Sequence, residues 1–165
     1  PKTKAKEILK LLDVIQPGDI VCRSYNYYLD SYFIPGIFTH SGLVMSKDKM
    51  IHSIAEGVEE VHPIDFVKDT DSFVVVRPHY LSDSDISNVL NRAEWHMTNK
   101  TEYDFLFNDP DKFYCHEFTV DCLKYANIEI PVSTISMGKW PIKFKKQVYL
   151  AEEIIAKCDV AYLFV

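Results

Sequence analysis

The stretch from Thr39 to Ile54 admits few folds. Thr39-His40-Ser41-Gly42-Leu43-Val44-Met45 and Lys49-Met50-Ile51-His52 are separated only by Ser46-Lys47-Asp48, and a three-residue connection between two strand-like runs reads as a hairpin loop. Such loops end in a left-handed position that Asp48 tolerates, and closing this one pairs Met45 with Lys49. That register sets His52 opposite Gly42, with His40 two residues along on the same face. The two Cβ atoms are then diagonal neighbours about 7 to 8 Å apart, a gap that two imidazoles bridge. One more residue in the loop would turn them to opposite faces.

The rest of the chain supplies strands and then helices. A helix is expected at about residues 3 to 15, with Ile8, Leu11, Leu12 and Ile15 on one stripe and Pro17-Gly18 as its stop. Strands are expected at Asp19 to Arg23, Gly57 to Ile64 and Ser72 to Arg77. Ser82 to Asp85 caps a helix on which Ile86, Val89, Leu90, Ala93 and Met97 recur at helical spacing. A third helix, from about Tyr114 to Asn127, carries Cys115, Phe118, Cys122 and Ala126 along one face. In the tail, Met137 to Phe144 reads as loop, Val148 to Lys157 as helix and Val160 to Val165 as strand. Consecutive strands followed by segregated helices predict a single α+β domain over residues 1–165, a small antiparallel sheet or barrel packed against helices.

Composition excludes several functions. The chain of 165 residues carries 24 acidic against 18 basic side chains, a formal charge of −6, and no basic cluster for a nucleic acid to hold. With 5 Gly and neither GxGxxG nor GxxxxGK[ST], no phosphate-cradling loop is expected. No apolar run approaches the roughly 18 to 20 residues of a transmembrane segment. The N-terminus lacks the uncharged centre of a signal peptide, which favours the cytoplasm. Cys22, Cys115, Cys122 and Cys158 form no CxxC pair and are expected as reduced thiols. A zinc site from His40, His52 and Cys115 lacks finger-like ligand spacing, so neither metal nor cofactor is expected. The pattern is silent on oligomeric state.

What chemistry the pattern offers centres on Cys115. It falls in a first helical turn, where unpaired N–H groups and the helix dipole favour a thiolate. Cys122, two turns on, and Cys22 and Cys158, in apolar stretches, are expected to be inert. With His40 facing the Cys115 helix, it can take the thiol proton while His52 holds its other ring nitrogen. The alternative is a buried thiol beside two partly exposed sheet histidines.

Pro17-Gly18-Asp19-Ile20-Val21, Thr39 to Met45, Met50-Ile51-His52-Ser53 and above all YDFLFNDPDKFYCHEFTVDCLKYA (Tyr103 to Ala126) together resemble the circularly permuted, NlpC-type papain-like thiol hydrolases, in the YiiX-like branch of bacteria and poxviruses. Lecithin:retinol acyltransferases are a more distant likeness. The resemblance covers about residues 15 to 130 and implies a permuted papain-like fold in which the histidine precedes the cysteine. It implies Cys115 as nucleophile, His40 as base and His52 at the third polar position, where the YiiX-like branch often has Glu. The Cys115 N–H is the implied oxyanion donor. Tyr103, Tyr114 and Tyr125 are weaker candidates for a second donor or a substrate contact. His116, where relatives often have a small residue, could tune the thiol but is expected to be solvated on the helix surface, and His62, His79 and His96 to be structural or surface residues. The aromatic connection Ser24 to Phe38 is read as either an apolar wall of the site or core filler.

Two functions follow from this resemblance. One is a cysteine hydrolase acting on a small peptide, another amide or a lipid-like acyl substrate. The other is a catalytically silent relative that binds an acylated or peptide ligand in the same cleft.

Overall fold

Pro17 and Gly18 end the first helix by backbone geometry. Gly18 sits at φ +90°, and a Cβ there would stand 2.9 Å from the Tyr80 ring, whose hydroxyl donates to the Gly18 carbonyl at 2.7 Å. The fold is described from a computed structural model covering residues 2–25, 36–106, 108–137 and 141–165. In chain order its elements are α1 (Ala5–Val14), β1 (Ile20–Ser24), β2 (His40–Val44), β3 (Met50–Ile54), β4 (Gly57–Val61), α2 (Pro63–Val67), β5 (Ser72–Pro78), α3 (Asp83–Thr98), α4 (Cys115–Lys124), β6 (Ser133–Met137), β7 (Phe144–Val148), α5 (Ala151–Ala156) and β8 (Cys158–Phe164). Six strands form one antiparallel sheet in the order β4-β3-β2-β1-β5-β8.

The hairpin register is the one its loop dictates. Leu43 pairs with Ile51 and Val44 with Met50, and the Met45 N–H donates to the Lys49 carbonyl at 2.9 Å. Both faces of the sheet are covered, and strand alternation divides the core accordingly. Ile20, Cys22, Leu43, Ile51, Val74 and Val76 point to the face packed by α3, α4 and α5. Val21, Val44, Met50, Phe73 and Val75 point to the other, against Leu11 and Ile15 near α1 and Phe66 and Val67 of α2. A continuous apolar run such as Val74-Val75-Val76 follows, since neither side of β5 meets water.

Two expected elements differ. The strand expected over Gly57 to Ile64 stops at Val61, because Pro63 has no N–H for a ladder and its fixed φ suits the start of a helix. His62 caps that helix by accepting from the Ile64 N–H at 3.2 Å. The loop expected over Met137 to Phe144 begins and ends in strand: β6 and β7 pair from Ser133 with Val148 to Met137 with Phe144. Their sequences alternate weakly, STISM and FKKQV, because this two-stranded ribbon buries little.

The Pro-Gly-Asp turn is anchored by charge. Asp19, 1% exposed, accepts two bonds from Arg77, Nε to Oδ1 and Nη2 to Oδ2, both at 2.8 Å. It also accepts from the Gln16 N–H at 2.9 Å, so the buried carboxylate is fully engaged.

Candidate active site

The alternation of β2 decides what its residues meet. Ser41 faces α4, with its Oγ 3.3 Å from the Cys115 carbonyl, 2.8 Å from His116 Nδ1 and 3.0 Å from Thr119 Oγ1. His40, which the sequence pattern places toward that helix, therefore does not face it. Its ring and that of His52 point to the opposite face, each with its centroid 5.5 Å from that of Phe66 of α2. The reason is parity: α4 lies over the sheet face that takes Ser41 and Leu43, and neighbouring positions alternate.

Cys115 reaches the chain instead at the residue that leads into β2. The Cys115 Sγ–H donates to the Thr39 carbonyl at 3.6 Å, the peptide group that carries the His40 nitrogen. His40 Nε2 and His52 Nδ1 are 2.8 Å apart, with the rings edge to face at 77°. Burial holds His40 well below the ordinary histidine range, helped by the charge of Arg23, its cross-strand partner. Burial, then Arg23, brings His52 down to about 3. Both rings are thus neutral at pH 7, and one donates to the other. Arg23 stacks on the Phe66 ring, 4.4 Å from its centroid, and donates to the Phe66 carbonyl. Its place beside His40 was readable only by pairing DIVCR with the hairpin.

His116 is a second correction. It is buried, not solvated, bonded to Ser41 and brought down to about 4 by burial. Neighbouring positions of α4 are covered too, His116 against β2 and Glu117 by surroundings that push its carboxyl up to about 7, chiefly by burial and then by Asp104. Neither environment has a local sequence signal.

Of the three tyrosines, two stand near Cys115. Tyr114, the residue before α4, is buried with Cys115 and Val148, and Tyr103 packs on that cluster. The Tyr114 hydroxyl is engaged with the Tyr149 backbone, donating to its carbonyl at 3.2 Å and accepting from its N–H. Tyr125 is not brought to the site. Ten residues of helix carry it about 15 Å away, where it is half exposed with the Arg92 guanidinium 4.9 Å from its ring centroid.

The remaining thiols and histidines have other surroundings. Burial pushes Cys22 and Cys122 well above the ordinary thiol range and Cys158 to about 12. His96 is buried between Asp121 at 2.7 Å and Thr101 at 2.9 Å, tying α3 to α4. His79 lies 3.0 Å from Asp159 at the surface. Of the aromatic connection Ser24 to Phe38, residues 26–35 lie outside the described residues. Among the described residues no group of three or more His, Cys, Asp or Glu could hold a metal ion, and no helix is long and apolar enough to cross a membrane.

An antiparallel sheet whose histidine strands precede, in the chain, a packed helix that opens on a cysteine defines a thiol hydrolase of the papain-like class in permuted order. The family model for the permuted papain-like amidase enzymes, YaeF/YiiX, C92 family, matches residues 14–149, and the chain belongs to that family. No curated protein matches it.

Proposed function

We propose that the protein cleaves an amide or ester through an acyl-enzyme on Cys115, with His40 as base and His52 as the group that orients it. The observation that carries this reading is the 2.8 Å bond between two buried, neutral imidazoles at the strand end where Cys115 opens α4. A neutral imidazole is the form that accepts a thiol proton. The helix N-terminus favours the resulting thiolate, and the Cys115 N–H supplies an oxyanion donor.

In this mechanism the Cys115 proton passes to His40 as sulfur bonds to the carbonyl carbon. His40 then protonates the departing amine or alcohol, leaving a thioester. Water, losing its proton to His40, cleaves the thioester, releases the acid and restores the thiol. Tyr114, its hydroxyl held by Tyr149, serves as wall, together with Tyr103 packed on the same cluster. Membership of an amidase family makes amides, small peptides included, the first substrates to try, with lipid-like acyl esters next.

The test needs no substrate: site-resolved iodoacetamide alkylation from pH 5 to 9, read by mass spectrometry on wild type and His40→Ala. Cys115 alone should react fast below the ordinary thiol range of about 8.5, and should lose that advantage without His40. Reactivity of Cys115 no different from that of Cys22, Cys122 and Cys158 would overturn the reading and leave a ligand-binding cleft.

A further inference from the structure

His52 has two ring nitrogens, and only one is committed. Nδ1 bonds His40, whereas Nε2 is buried without a hydrogen-bond partner among the described residues. Glu59 Oε1 stands 3.6 Å from it. Glu59 stands directly across from His52 in the β3–β4 ladder, on the strand at the sheet edge. Its side chain is 51% exposed against 6% for His52, so the carboxylate has room to close the last few tenths of an ångström to hydrogen-bond distance.

We propose that Glu59 is a positioning residue that selects the His52 tautomer and, through it, the nitrogen on which His40 carries its proton. This rests on the reading of His40 as base. A carboxylate accepts and cannot donate, so it favours the tautomer of His52 with hydrogen on Nε2. The Nδ1 of that tautomer is an acceptor, and it can pair with His40 only if the His40 proton sits on Nε2. The lone pair of His40 then lies on Nδ1, which makes no hydrogen bond among the described residues, and this is the atom left to take the thiol proton. With the opposite tautomer of His52, the Nδ1–H would donate to His40 Nε2. The base would then point its lone pair into the histidine pair rather than out of it.

Among the described residues, the groups facing His52 come from four elements: His40 of β2, Glu59 of β4, Phe66 of α2 and the charge of Arg23 of β1. Of the two charged ones, Arg23 disfavours an imidazolium without choosing a tautomer for the neutral ring. Glu59 is placed to choose.

The experiment is long-range proton–nitrogen NMR of histidine-labelled protein at pH 7.5, on wild type, Glu59→Leu and Glu59→Gln, alongside the alkylation rate of Cys115. In wild type both His52 and His40 should carry hydrogen on Nε2. Glu59→Leu should shift His52 toward the Nδ1–H form and slow alkylation by about tenfold or more, a loss of the size a mispositioned base gives. Glu59→Gln, whose carbonyl still accepts, should keep both tautomers and most of the rate. A wild-type His52 with its proton on Nδ1, or tautomers unmoved in Glu59→Leu, would overturn the proposal. Tautomers that shift while alkylation holds would uphold the role of Glu59 and count against His40 as the base of Cys115.

Discussion

A Cβ placed on Gly42 would stand 2.8 Å from Cε2 of Phe66, and the same Phe66 ring touches both His40 and His52. The glycine is therefore a clearance for the ring against which the imidazole pair is stacked. Gly42→Ala must displace a fully buried phenylalanine, and overpacking of this kind costs about 1 to 3 kcal/mol. We expect a lower urea midpoint together with reduced Cys115 alkylation, because the histidines lose the surface that seats them. An unchanged midpoint would show that the ring moves freely.

Cys115→Ala should abolish turnover of an amide or activated ester while leaving the far-ultraviolet circular dichroism unchanged. Cys122 provides the contrast, since it lies in the main core with Phe118 and Leu123. Cys122→Ser puts a hydroxyl among apolar side chains and should lower stability by about 1 to 3 kcal/mol, with activity per folded molecule retained. Full turnover by Cys115→Ala would sink the assignment.

Stability should fall on the acid side of neutrality. His52 and His116 titrate at about 3 and about 4 in the folded protein, against about 6.5 in an unfolded chain. The unfolded chain thus binds more protons as pH drops below 6.5. The contribution is fully present above that value and is lost as pH falls toward 4 and 3, by about 2 kcal/mol for each group at pH 5. Urea titrations at pH 7.5, 6 and 5 on wild type and His116→Gln measure it, and the variant should show the shallower decline. Glu117, its carboxyl pushed up to about 7, acts in the opposite sense over the same range, so the test is the difference between the two proteins: an equal decline in wild type and variant would contradict the burial of His116.

Arg77→Met should strand the Asp19 carboxylate, which is otherwise held by two guanidinium bonds. Breaking one side of a buried pair costs about 3 to 5 kcal/mol, and the lower end applies because the Arg77 side chain is 37% exposed. Asp19→Asn combined with Arg77→Met should recover part of the loss, since no buried charge then remains. Chemical denaturation of the single and double variants reads this directly.

Much of the fold was legible where the signal was local. The Ser46-Lys47-Asp48 loop carried the β2–β3 register, and the spacing of Ile86, Val89, Ala93 and Met97 carried α3. The strand-like pattern of Gly57 to Ile64 runs on through Pro63, where the chain in fact starts a helix. The β6–β7 ribbon leaves no pattern in the sequence because strands that bury little need not alternate. Of the candidate site, Cys115, His40 and His52 stand out in the sequence, whereas Arg23, Ser41 and Glu59 do not, because each gains meaning only from a partner on another element.

By itself the sequence determined that His40 and His52 share a face of one hairpin and that Cys115 opens a helix, since both follow from periodicity and turn length within a few residues. Only the tertiary structure decided that α4 covers the Ser41 face, that His116 is buried, and that Cys115 reaches the histidine strand at its end. Those outcomes depend on which apolar faces pack together across more than seventy residues of chain, as between Ser41 and His116. Local patterning says that a face must be buried, but not against what.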